Sequence, residues 1–147
     1  MSHTARRLDR LLAIRHLSEE MDRAALASVM ASVHQVESAI ASQETMRLDA
    51  KQTARLALSS GDRNEWLFAD AQCEVAGWNR DRLDVIRQQR EIEVPPAREK
   101  FMQSRCEHEQ VKQLIENARQ EARIDESRKA QATADDWFLS KRLRQSR

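Results

Sequence analysis

The sequence predicts an all-α fold, drawn out into an elongated antiparallel two-helix coiled-coil hairpin. Three observations carry this prediction. Ala, Arg, Gln, Glu and Leu dominate, while Gly and Pro number two each, Tyr is absent and aromatics are 4%, so helix formers abound and strand formers are scarce. The stretch ALSSGDRNEW, Ala57 to Trp66, holds one of the two glycines and stops and restarts a helix within a few residues. On either side of it, apolar residues recur in alternating steps of three and four, the heptad signature of a coiled coil. Residues are 33% charged and 40% hydrophobic, many of the latter Ala, which is too little for a thick core and enough for a narrow seam. The length of 147 suits one domain, a single hairpin over 1–147 with arm one spanning about 3–59 and arm two about 63–140.

The first arm carries Leu26, Val29, Val33, Val36 and Ile40 on a 3-4 spacing. Upstream the stripe shifts phase through Leu8, Leu11, Leu12, Ile14, Leu17 and Met21, and downstream Met46, Leu48, Leu56 and Leu58 lead to the turn. The turn lies near 59–65. Gly61 can take the left-handed conformation that ends helices, Asp62 offers an N-cap oxygen, and Glu65 stands three residues on, as in a capping box. So short a connection makes the two helices antiparallel neighbours. The second arm runs through Trp66, Cys73, Ala76, Leu83 and Ile86, then Ala97, Phe101, Ser104, His108, Val111, Ile115, Ala118 and Ala122. Pro95 and Pro96 disfavour helical geometry at the residues before them, so a kink or break is expected there. A full reversal at the prolines would give three helices, and a loose bundle is the competing arrangement. About 55 residues in the first arm would make the hairpin roughly 80 Å long.

Charge is uneven. Residues 1–16 net +3 and residues 137–147 net +4, so a chain of total +1 leaves −6 between them. A hairpin that pairs its termini would be a rod with a basic base and an acidic shaft. The acidic shaft argues against a nucleic-acid partner, although clustered arginines could neutralise phosphates. Apolar runs fall far short of the roughly 20 residues that span a bilayer, no secretory signal is legible, and WFLSKRLRQSR is short for a surface anchor. A cytoplasmic protein without stable membrane insertion is expected. Cys73 and Cys106, 33 residues apart on one arm, cannot bridge and read as small buried hydrophobes.

Reactive constellations are absent from the pattern. Cys106 and His108 are two apart on a helix and face different ways, so His108 reads as a packed seam residue and no metal is expected. Asp135 and Asp136 diverge by about 100° and cannot share a proton. No glycine-rich phosphate cradle exists, and neither an enzymatic activity nor a cofactor is expected. Two apolar clusters exceed what a two-helix seam can bury. Trp137, Phe138 and Leu139 either close the base of the hairpin against Leu8, Leu11 and Leu12 or dock a partner. Trp66, Leu67 and Phe68 pose the same choice at the tip, with Trp78 facing outward.

The uninterrupted first arm, the SSGDRNEW turn with Trp directly after it, and the returning arm with its DDWFLSKR tail resemble the FliJ/YscO-type stalk proteins of type III secretion systems, flagellar or virulence-associated. The resemblance covers the whole length as a layout. The chain departs from flagellar members in having no tyrosine on the first arm, and from the family in Pro95-Pro96. The resemblance implies a non-enzymatic stalk at the base of the secretion apparatus, with paired termini inserted into a hexameric export ATPase. Arg6, Arg7, Arg10, Trp137, Phe138, Lys141, Arg142 and Arg144 would meet that ATPase. Trp66, Leu67, Phe68 and Trp78 would lie near an export-gate protein, with substrate chaperones as further partners. A stand-alone coiled-coil adaptor or chaperone-like protein that binds helices is the alternative with the same fold.

Overall fold

A computed structural model describes residues 3–145, with side chains from Arg6 onward, as two helices: α1 (His3–Ser60) and α2 (Arg63–Gln145). No strand occurs among the described residues, and α1 and α2 run antiparallel as a hairpin. No helix is long and apolar enough to cross a membrane.

The reversal uses the chemistry of ALSSGDRNEW. Gly61 has φ +77°, the left-handed region where a Cβ would meet its own backbone. That conformation swings the Asp62 N–H back to the Ala57 carbonyl at 3.1 Å, occupying an acceptor the helix end would leave free. Asp62 then caps α2: its Oδ1 accepts the Glu65 N–H at 3.0 Å, and its carbonyl accepts the Trp66 N–H at 3.1 Å. The expected capping box is therefore half-formed, because the Asp62 N–H that Glu65 would need is already committed to Ala57.

The chain divides into two compact units, one of Glu20–Gln103 containing the turn and one of residues up to Glu19 with Ser104 and beyond. In the turn unit the expected Leu26, Val29, Val33, Val36 and Ile40 are buried or half-buried. The same spacing then continues through Gln43, Arg47, Ala50, Ala54 and Ala57. Met46, Leu48, Leu56 and Leu58 do not belong to it; all four are more than half exposed. They fall off the four-three continuation from Ile40, and small residues take the seam where the backbones close on the turn. Opposite them α2 presents Trp66, Ala69, Cys73, Ala76, Arg80, Leu83 and Arg87, with Ala57 and Ala69 almost fully buried. Arg87 holds the place expected of Ile86, which is exposed.

The prolines neither break nor reverse α2. Val94 and Ala97 stay half-buried in the seam on either side, while Pro95 and Pro96 are exposed. The two carbonyls deprived of N–H donors belong to Glu91 and Ile92, both exposed, where water can hydrogen-bond them. Seam burial on both sides outweighs the local cost. In the terminal unit the seam is Leu8, Leu12, Arg15 and Glu19 against Ser104, His108, Val111 and Ile115. Leu11, Ile14 and Leu17 are exposed there, as is Met21 in the turn unit. Each stands one or two residues from a seam position, which turns it outward.

Candidate functional site

Polar pairs fix the register of the hairpin. In the terminal unit Arg15 bonds Glu107, and Glu19 accepts from His108 Nδ1 at 2.5 Å. In the turn unit Lys100 reaches Asp22 at 3.7 Å, the Arg23 guanidinium lies 5.5 Å from the Phe101 ring centroid, and Arg80 bonds Glu44. The Arg80 hydrogen bond holds the Glu44 carboxyl below its ordinary pKa, and Glu44 in turn raises that of Arg80. Partner numbers add to between 122 and 127, so His3 stands opposite about residue 120.

The consequence lies in arm length. α1 has 58 residues and α2 has 83, so some 25 residues of α2 continue with no α1 beside them. Every residue from 116 to 145 is exposed. Ala118 and Ala122 keep the heptad spacing but have no seam to enter. The expected clasp does not form: Leu8 and Leu12 lie at the level of Val111 and Ile115, and Trp137 is about 33 Å further along α2. The termini are thus offset rather than paired.

The overhang is chemically dense at its end. Trp137, Phe138 and Leu139 are about 60% exposed, and with Leu143 they put apolar surface on three sides of the helix. Trp137 and Phe138 meet edge to face at 5.1 Å, and the Lys141 ammonium lies 5.1 Å from the Trp137 ring centroid. Lys141, Arg142 and Arg144 are exposed beside them. Arg6, Arg7 and Arg10 are also exposed, but at the level of about residues 112–121, so Lys141 is roughly 35 Å beyond Arg6 along α2. The two basic clusters are separate surfaces rather than one base.

In the turn unit, Leu67 and Trp78 are exposed on the side of α2 opposite its seam, and Phe68 and Val75 are exposed on its flank. Trp66 differs: it is half-buried and lines a small hollow with Ala57, Leu58 and Gly61 at the turn. Phe68 and Val75 also edge a groove of about 580 Å³ with Met46, floored by Ala50 and Ala76.

One grouping was not foreseen. His16 and Glu19, three apart on α1, meet His108 of α2 so that one ligand atom from each lies within 4.8 Å of the others. The His16 and His108 rings are 5.4 Å apart at 50°. Reading Cys106 with His108 looked along one helix, whereas the second imidazole comes from across the seam. The available signal was His16-x-x-Glu19 ending a seam step opposite His108. Cys106 itself is exposed rather than buried, and Cys73 is half-buried; both are free thiols.

No family model, no curated protein and no solved structure matches this chain.

Proposed function

We propose that the protein is a non-enzymatic stalk of a type III protein export apparatus, at the cytoplasmic base of the secretion machinery, which docks into a hexameric export ATPase. One observation carries the reading: α2 continues past the end of α1 as a helix exposed on every face, tipped with Trp137, Phe138, Leu139 and a basic cluster. A projecting helix gains nothing from tertiary packing, and the apolar surface that Trp137, Phe138, Leu139 and Leu143 place at its end is suited to burial. A ring pore or a ring of partner helices would enclose all its faces at once. Lys141, Arg142 and Arg144 would be steered by an acidic lumen without side-chain matching at each subunit. The overhang, rather than two paired termini, is the inserting element in this proposal, with Arg6, Arg7 and Arg10 on the rim side. Leu67, Phe68 and Trp78 face an export-gate protein or a substrate chaperone, and Trp66 supports the turn behind them.

The test is co-purification of the full chain with the hexameric ATPase, followed by stimulation of its turnover. Retention should fail for a chain ending at residue 120 and for Trp137→Ala/Phe138→Ala, with the helical signal of the hairpin intact. Equal retention of the truncated chain would refute the reading. The groove edged by Met46, Phe68 and Val75 favours a second reading, an adaptor that binds a partner helix beside the turn. That reading gains if the truncated chain still captures partners and Phe68→Ala does not.

A further inference from the structure

We propose that His16, Glu19 and His108 form a divalent transition-metal site, best suited to zinc, that ties α1 to α2 in the terminal unit. The inference does not depend on the stalk reading.

The donor set comes first. Two imidazoles and one carboxylate are the ligands of a three-residue zinc site, with water in the fourth position. Borderline nitrogen donors select zinc and its neighbours over calcium or magnesium, which prefer all-oxygen shells. Placement is equally specific. His16 and Glu19 are three apart on α1, so they lie on one face, and the seam register brings His108 against them. Glu19 is buried and the His108 side chain is 12% exposed, so two ligands are held in place by packing. His16 is exposed, leaving a path for the ion and room for its water. The adjacent Glu107 is bonded to Arg15, which keeps that carboxylate engaged outside the triad.

The distances set what must move. Zinc–nitrogen bonds of about 2.0–2.1 Å at tetrahedral angles place ligand atoms about 3.3 Å apart. No two of the ligand atoms now lie more than 4.8 Å apart, and rotation of the exposed His16 side chain can draw them together. The His108–Glu19 hydrogen bond, at 2.5 Å, must open by slightly less than 1 Å. Zinc thereby takes the place of the proton on His108 Nδ1, which passes to solvent, while Nε2 carries the ring N–H so that the ligating imidazole is neutral. The carboxylate and two neutral imidazoles leave the loaded site at +1. Because the ligands come from both helices, loading should stabilise the hairpin against unfolding, since an unfolded chain does not hold the three together.

The experiment uses the full chain stripped of metal. Calorimetric titration with zinc should give one equivalent bound, and cobalt should give the intense visible absorption of a tetrahedral complex. Zinc should raise the midpoint of thermal unfolding. His16→Ala, at an exposed position outside the seam, should keep its helical content yet bind zinc at least about tenfold more weakly and lose the zinc-dependent rise. Cys106→Ser should bind as the parent does, which separates this triad from the nearby thiol. Absence of zinc binding by the parent, undiminished binding by His16→Ala, or loss in Cys106→Ser would each overturn the proposal.

Discussion

At the residue scale, Gly61 decides where the chain reverses. Its φ of +77° is costly for any residue with a Cβ, although nothing lies within 4 Å of where that Cβ would stand. The cost of Gly61→Ala therefore comes from its own backbone and not from packed neighbours, about 1–2 kcal/mol. Denaturant titration should show that loss with an unchanged slope. A Gly77→Ala control in α2, where space is also open and the backbone is helical, should be neutral or stabilising. Glu44 and Arg80 supply the second residue-scale prediction. A carboxyl whose pKa is depressed by folding stabilises the native state above its unfolded pKa, near 4.3 for Glu, and loses that contribution as pH falls through the lower folded value. The thermal midpoint should drop as pH is taken below about 4, and Glu44→Gln should flatten that drop. An identical pH profile in the variant would remove the pair from the account. The turn chemistry was legible because its determinants are local: a glycine, a cap, and three-residue spacing. The His16–Glu19–His108 grouping was not, because His108 lies about 90 residues from the other two in the chain and meets them only through register.

At the element scale, α2 absorbs Pro95 and Pro96 without ending. Proline in a helix interior costs about 3 kcal/mol relative to alanine, and a local reading of EVPPAREKF expects a kink or break. The seam answers it: positions 94, 97 and 101 keep their step past the prolines and hold the backbone to α1. Replacing both prolines by alanine should raise the free energy of unfolding, read from denaturant titration, by an amount approaching about 3 kcal/mol per site where the helix is otherwise unstrained. A fall in stability would mean that the prolines serve the fold there. The seam also shows how far periodicity reaches. Between Leu26 and Ile40 the apolar residues name it unaided, since every fourth or third position is branched and buried or half-buried. Towards the turn it runs through alanines, and near Glu19 through charged residues, while Leu, Ile and Met stand outside it. There hydrophobicity and position part company, and following the larger side chains selects the wrong face. Polar seam residues such as Glu19 and Arg80 reduce burial but restrict pairing to one register.

At the scale of the whole molecule, function is a question of which surfaces lie uncovered. Two sets of positive charge were expected to act as one base; the offset separates them along α2 by tens of ångströms. That distinction can be measured. Under the proposed stalk function, Lys141→Glu, Arg142→Glu and Arg144→Glu together should weaken association with an export ATPase strongly and remove most of its salt dependence. The same reversal at Arg6, Arg7 and Arg10 should weaken binding less, as rim charges mainly affect the rate of encounter. Equal losses from both triples would restore the single basic base and contradict the offset. The overhang itself was calculable from the sequence, since arms of about 57 and 78 residues cannot end level. Expecting the prolines to interrupt the second arm hid that inequality.

The sequence by itself determined that this protein is helical, that it turns back at Gly61, and that α1 and α2 meet along a seven-residue repeat. These follow from propensities, caps and spacings that act within a few residues of one another. Only the tertiary structure decided which residues occupy the seam where it is small or polar, that α2 passes through Pro95-Pro96, and at which residue α2 runs past the end of α1. Those outcomes depend on axial register, which is set by contacts between positions up to about 90 residues apart, and no local pattern carries that distance.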